Sequence, residues 1–459
     1  MKRLVVVSNR VALPGRRGSA QGGLATGLWE ALQPAGGLWF GWNGRVEESS
    51  DSSPELHREG DVTYATVPLT RREFEGYYVD FANRCLWPLC HSRLNLLHFD
   101  RKHYHNYMET NARFAHQLLP LLEDDPLVWV HDYHFLPMAA CLREAGFSGR
   151  IGFFLHVPFP STDILRALPV HKELVHALLA YDLIGFQTPL DCEAFMGAVR
   201  LCVPEARMTD STVTYNGRCV RVQSFPIGID VDEVVRTAES GRHGLHGRRL
   251  EASLTGRRLI IGVDRLDYSK GLPGRFRAYA QLLEHWPEFR RQVVLFQIAP
   301  LSRIEVPEYE LIRRDLNAIA GDIQGRFAEY DWLPLRYMTR GFPRPTIMGF
   351  LSLARVGLVT PLRDGMNLVA KEFVAAQPAD DPGVLVLSSL AGAAYELRDA
   401  VIVNPHDLGQ IAEGLAQALN MPLEERRERW SAMMKVLRGN DIHNWTRTFI
   451  SALQQAGHA

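Results

Sequence analysis

The stretch GLVTPLRDGMNLVAKEFVAAQ, residues 357–377, begins as one kind of structure and ends as another. Leu358 to Leu362 make a short apolar run of strand length. From Asn367 onward, Leu368, Val369, Phe373 and Val374 recur with helical spacing. Between the two stands Arg-Asp-Gly-Met, which puts charge at the tip of a strand-to-helix turn without a glycine-rich phosphate-loop consensus. A helix that opens here offers the backbone N–H groups of Met366, Asn367 and Leu368 at its positive dipole end, where an anion is favoured.

The same strand-then-helix alternation extends outward in both directions. Strand-like runs at 257–266, 292–299, 356–361 and 383–389 are interleaved with helical patterns at 272–285, 305–320, 367–376 and 407–419. An earlier series has strands at 3–9, 127–132, 151–156, 183–188 and 222–229, with helices at 108–122, 171–180 and 190–201. Near-continuous apolar strands separated by helices indicate parallel sheets covered on both faces. Residues 239–258, polar and rich in glycine and arginine, read as a solvated helix or connection between the series. The expected fold class is α/β, with two doubly wound Rossmann-like domains facing across a cleft. The expected domains are 1–235 and 236–459, the last helix (about 441–457) being one that can pack back on the N-terminal domain.

The totals fit an ordinary globular enzyme-sized chain. At 459 residues, with 46% hydrophobic and 22% charged residues, two or three domains can each bury a core. A net charge of −1 supplies no bulk attraction for nucleic acid or an anionic membrane, so neither partner is expected. The six cysteines form no C-x-x-C and read as reduced thiols. The apolar run Leu4 to Val7 is shorter than the ~7–15 residues of a signal-peptide core, and reads as a first strand. No uncharged segment approaches the ~20 residues of a membrane span, so a cytoplasmic protein is expected.

Polar residues follow strand after strand: SNR ending at Arg10, HDYH (131–134), HVPFP (156–160), DRLDYSKG (264–271), LSRIE (301–305) and RDGMN (363–367). A sheet needs no such pattern for stability, and in doubly wound folds ligands sit outside the carboxyl ends of strands. Arg10, Arg265, Lys270 and Arg303 are fixed cations of the kind that suits phosphate. In QGGLATGL (21–28), a glycine pair leads toward a helical pattern and lets backbone approach a ligand, though without dinucleotide-fingerprint spacing. Two anion sites imply a substrate bearing phosphate or diphosphate, or two such substrates. HDYH and DRKHYH (100–105) lack zincin spacing and a third ligand, so no metal is expected. Trp87, near Tyr77 and Tyr78, reads equally as core and as a wall for a sugar face.

Taken together and in order, LVVVSNR, GLWFGW, YYVDFAN with LWP, WVHDYHFLP, IGFFLHVPFPS, DRLDYSKGLP, LVTPLRDGMNLVAKEFVAAQ and VLVLSSLAGAAYEL resemble the trehalose-6-phosphate synthase family of retaining GT-B glycosyltransferases. The likeness runs from Leu4 to about Trp445. It implies transfer of glucose from a nucleoside-diphosphate glucose to glucose 6-phosphate, with retention. UDP-glucose is the default donor, and GDP and ADP donors stay open. By the same resemblance Arg10, Tyr78 and Arg303 bind the acceptor phosphate, and Trp87 and Asp132 belong to the acceptor sugar site. Gly22 and Gly23 lie against the donor, Arg265 and Lys270 hold its diphosphate, and His156 lies near its sugar. Asp364 contacts the transferred glucose. Leu368, Val369, Ala370, Lys371 and Glu372 hold the nucleotide, with Glu372 on the ribose, and Phe342 lies near the base. The residues implied in catalysis are Asp132, His156, Arg265, Lys270 and Asp364. No cofactor is implied, a separate trehalose-6-phosphate phosphatase is expected in the pathway, and a homo-oligomer is expected. The rival reading is glucosylglycerol-phosphate synthase or another sugar-phosphate synthase with a different acceptor.

Overall fold

The apolar runs become the strands of two sheets. The computed structural model describes residues 2–11, 13, 32, 36–49, 53–302 and 306–456. Gly22, Gly23 and Arg303 therefore lie outside the described residues. The chain divides into two compact units, Met1–Pro226 with His443–Ala459, and Ile227–Ile442.

The first unit holds a ten-stranded sheet: β1 (Leu4–Arg10), β2 (Gly37–Glu47), β3 (Glu55–Glu59), β4 (Val62–Thr70), β5 (Leu127–His131), β6 (Ile151–Phe154), β7 (Leu183–Phe186), β8 (Arg207–Met208), β9 (Thr212–Tyr215) and β10 (Arg218–Ser224). Its order is β3-β4-β2-β1-β5-β6-β7-β10-β9-β8. The strands from β4 to β10 in that order pair in parallel, while β3, β9 and β8 add antiparallel edges. Helix Ile442–Gln455 returns its aromatic face to this sheet: Trp445 and Phe449 lie 4.8 and 4.5 Å from the Trp129 ring.

The second unit holds six parallel strands, β11 (Arg258–Val263), β12 (Val293–Ile298), β13 (Leu335–Met338), β14 (Val356–Val359), β15 (Val384–Ser388) and β16 (Val401–Val403), in the order β13-β12-β11-β14-β15-β16. This is the doubly wound 3-2-1-4-5-6 order, and β4-β2-β1-β5-β6-β7 repeats it in the first unit. In each unit the order reverses beside the first strand, at β1/β5 and β11/β14.

The units part after Pro226, not near residue 235. Helix Val231–His243 belongs with the second unit because Gly241 lets its backbone touch that of helix Arg344–Ser352 at Pro345 and Gly349. A Cβ at Gly241 would overlap the Pro345 carbonyl. The basic stretch after it is helical, continuing as Leu245–Leu254.

Candidate active site

Each switch point carries a cluster of polar residues, and the two are built differently. At the end of β1, Arg10 is exposed, with its guanidinium carbon 5.5 Å from the Trp42 ring. Asn9 beside it accepts a hydrogen bond from the Tyr77 hydroxyl at 2.9 Å. Tyr77 and Tyr78 sit on a 13-residue π-helix, Phe74–Leu86, a rare geometry that recurs at functional sites. Tyr78 stacks on His134 (6.0 Å, 15°) and packs against Trp42 (5.3 Å) and Phe74 (5.6 Å). Trp87 follows the π-helix and is 5% exposed, its ring 4.1 Å from His91 and 5.7 Å from Tyr133. Most of its surface is thus core.

After β5, Asp132 adopts φ 73°, ψ 168°, a conformation that costs a side-chain-bearing residue on the order of 1–3 kcal/mol. It is held there from both sides. Its N–H donates to the Phe154 carbonyl at 2.8 Å, and its Oδ1 accepts from the His156 N–H at 3.3 Å. His131 Nδ1 lies 3.0 Å from His156 Nε2. Burial holds both rings neutral. It pushes His131 well below the usual imidazole range, with His156 adding to the effect, and pushes His156 down to about 3.

At β11/β14 the chemistry is ionic. Lys270 ends a short 3-10 turn, Tyr268–Lys270, which Asp267 caps by accepting from Ser269 N–H at 2.9 Å. Its ammonium pairs with Asp364 Oδ2 at 2.5 Å, and the Asn367 side-chain amide donates to the same oxygen at 3.0 Å. Asp364 itself is fixed through backbone bonds to Leu390 and Gly392. Beneath them, Arg275 pairs with Asp264 at 2.5 Å and reaches Thr360 and Gln297, all buried. Burial raises the Asp264 carboxyl despite Arg275. Asn367, at φ 79°, caps helix Leu368–Ala376 by accepting from Ala370 N–H at 3.2 Å.

Two details depart from the sequence reading. Leu368 and Val369 are only half-buried, while the helix is buried from Ala370 onward, charges included. The Lys371 ammonium is fully enclosed, donating to the Ile227 carbonyl at 2.7 Å and Glu396 at 2.6 Å. That side chain is thereby committed inside the fold, leaving only its backbone for a ligand. Glu372 is paired with Arg344 at 2.6 Å, and Arg344 reaches Glu233 at 3.0 Å. Burial raises the Glu372 carboxyl, with Arg344 opposing. The sequence does not mark Arg344 and Glu233 as site residues, because 111 positions separate them and no local pattern joins them. Phe342 is half-buried against Phe350 (5.4 Å) with Arg340 over its ring, and Arg265 is exposed. Among the described residues no cluster of three or more His, Cys, Asp or Glu is placed to hold a metal ion, and none of the six cysteines is in a disulfide. No described helix is long and apolar enough to cross a membrane.

Paired doubly wound units with polar switch points are the architecture of GT-B glycosyltransferases. The chain belongs to glycosyltransferase family 20, whose profile matches residues 3–455. It is 48% identical over 454 residues to trehalose-6-phosphate synthase of Klebsiella pneumoniae subsp. pneumoniae, spanning 99% of this chain and 95% of that protein. Among solved structures, a UDP-forming α,α-trehalose-phosphate synthase from Burkholderia vietnamiensis matches with a TM-score of 0.96 at 47% identity over 99% of both chains. A Burkholderia xenovorans enzyme of the same description, in complex with glucose-6-phosphate, matches at 0.95 and 48% over 98% of this chain and 100% of that one. An E. coli structure bound with UDP-2-fluoro glucose matches at 0.94 and 45% over 99% of both.

Proposed function

We propose that this chain transfers glucose from UDP-glucose to glucose 6-phosphate with retention, giving α,α-trehalose 6-phosphate and UDP. The observation that carries the reading is the Lys270–Asp364–Asn367 cluster at the second switch point of a family 20 chain. It combines a fixed cation for a leaving diphosphate with a carboxylate for sugar hydroxyls. The second unit supplies most of the donor site and the first unit the site for the acceptor sugar. Arg265 and Lys270 hold the diphosphate, Asp364 and His156 the glucose, and Glu372 the ribose. Phe342 lies by the base, and Gly22, Gly23 and the backbone from Met366 to Lys371 complete the donor site. Arg10, Tyr78 and Arg303 grip the acceptor phosphate, with Asp132 and Trp87 at its sugar.

In the reaction, acceptor O1 bonds to the donor anomeric carbon on the face from which the diphosphate departs. The C1–O bond breaks with its electron pair going to the diphosphate, and the proton of O1 passes to the departing phosphate oxygen. The diphosphate competes with Asp364 for the Lys270 ammonium, and Asp364 accepts from sugar hydroxyls in exchange. Positioned charges of this kind lower a barrier by about 3–4 kcal/mol each at best. A covalent route needs a carboxylate nucleophile at short range. Asp132 and Asp364 have other tasks here, so same-face attack fits better. Phosphorylated substrates and cysteines outside disulfides support a cytoplasmic setting, with a separate phosphatase completing the route to trehalose.

The test is an activity matrix of UDP-, GDP- and ADP-glucose against glucose 6-phosphate, glucose and glycerol 3-phosphate. UDP-glucose with glucose 6-phosphate should dominate. Faster turnover with glycerol 3-phosphate would replace this reading with its rival.

A further inference from the structure

His131, at the end of β5, is a buried titratable group that the mechanism does not use. His131 is fully enclosed, and its Nδ1 meets His156 Nε2 at 3.0 Å. Both rings are neutral, so each carries one hydrogen, and one hydrogen lies between the two nitrogens. Two arrangements satisfy that count. In one, His156 Nε2–H donates to His131 Nδ1, which leaves His131 with a hydrogen on Nε2 and His156 with a bare Nδ1. In the other, His131 Nδ1–H donates to His156 Nε2, which leaves a bare Nε2 on His131 and a hydrogen on His156 Nδ1.

The surroundings of His131 choose between them. Its Nε2 is buried and has no hydrogen-bond partner among the described residues. The rings packed around it are Trp129 (4.6 Å), Phe154 (6.4 Å), Trp445 (6.3 Å) and His156 (5.3 Å). An indole N–H only donates and a phenyl ring does neither, so none but His156 offers a side-chain acceptor. A hydrogen on His131 Nε2 would be an orphaned buried donor, which folded proteins tolerate less well than an under-used acceptor. The second arrangement has no orphaned donor.

We propose that His131 is a positioning residue that fixes the Nδ1–H tautomer of His156, so that this ring presents a hydrogen-bond donor, and not an acceptor, to the transferred glucose. The inference rests on the reading above that His156 meets the donor sugar. Asp132, whose Oδ1 binds the His156 backbone N–H, anchors the same residue from its main chain, so ring and backbone are set independently.

The direct readout is the nitrogen spectrum of 15N-histidine-labelled protein, with the two signals assigned by His131→Asn and His156→Ala. Protonated Nδ1 and bare Nε2 on both rings is the expected result. A protonated Nε2 on His156 overturns the proposal and leaves the proposed function standing. Kinetics supply the second arm. His131→Leu should lower kcat roughly tenfold, the scale of one hydrogen bond, with little change in the KM for UDP-glucose. His131→Asn keeps an N–H donor near the Nδ1 position and should recover most of that loss. Equal defects in His131→Leu and His131→Asn, both folded, would make His131 a packing residue and overturn the proposal. Unchanged turnover in His156→Ala would overturn it through its premise, the contact with the sugar.

Discussion

The two switch points share a strand order and differ in how they hold charge. At β1/β5 the walls are rings and neutral groups: Tyr78 among Trp42, Phe74 and His134, and a neutral His131–His156 pair. The cation there, Arg10, rests on an indole face and makes no ion pair among the described residues. At β11/β14 nearly every charge has a partner: Lys270 with Asp364, Arg275 with Asp264, Arg344 with Glu372 and Lys371 with Glu396. The contrast matches the two tasks proposed. Recognising a stable sugar phosphate asks for an uncommitted guanidinium and an apolar wall. Receiving charge that develops during bond cleavage asks for groups held rigidly before the reaction begins.

Breaking the ionic side should have the largest effect. Lys270→Ala is expected to lower kcat/KM by roughly 10²–10³. Near-normal turnover in steady-state assays would remove Lys270 from the mechanism and erase the contrast. On the ring-lined side, Arg10→Ala should raise the KM for glucose 6-phosphate ten- to a hundredfold, the scale of one charge-assisted contact, and leave UDP-glucose nearly unaffected. It should also narrow the preference for glucose 6-phosphate over glucose. An equal change for both acceptors would mean that Arg10 acts through stability.

A smaller effect has opposite signs in the two regions. Burial depresses His131, so its contribution to stability is complete above the ordinary imidazole value of 6.5 and is lost as pH falls below it. The loss grows as pH falls from 7, and His131→Leu should remove that slope from urea unfolding. Burial raises Glu372, so its contribution is complete below its ordinary value of 4.5 and is lost as pH rises through the folded value. Glu372→Gln removes the titrating group and should flatten that slope between pH 4.5 and 7, while losing the ion pair with Arg344. Parallel pH slopes in the two variants would contradict the difference in wall chemistry.

Most of the central strands were legible because strands buried on both faces are written as unbroken apolar runs, as in β5, β12 and β15. β2 was not. Its sequence GLWFGWNGRVE reads as scattered aromatics because Gly37 and Gly41 dilute the strand signal. The structure uses Gly41 for close approach, since a Cβ there would overlap the Ser8 carbonyl. The apolar run at 222–229 marks only the end of its strand, since β10 begins at Arg218, paired with β9 across an Asn216-Gly217 turn with φ 47° and 74°. That Asn-Gly pair is a hairpin signal the sequence did carry. Helix Leu423–Gly439 escaped because it is dominated by charge. Positions after strand ends located Asp132, Lys270 and Asp364. The partners of other site residues are contributed from elsewhere along the chain, as Arg344 is to Glu372 and His131 to His156, and local pattern holds no record of such pairings.

The central claim is glucosyl transfer with retention onto a phosphorylated acceptor, and the configuration of the product tests it most directly. UDP-α-glucose and glucose 6-phosphate are incubated with the protein, and the disaccharide is examined by NMR. The predicted result is a single 1,1-linked product with both anomeric centres α and the phosphate retained at O6, formed in equal amount with UDP. A β centre at the transferred glucose, or release of free glucose and UDP without a disaccharide, would contradict it.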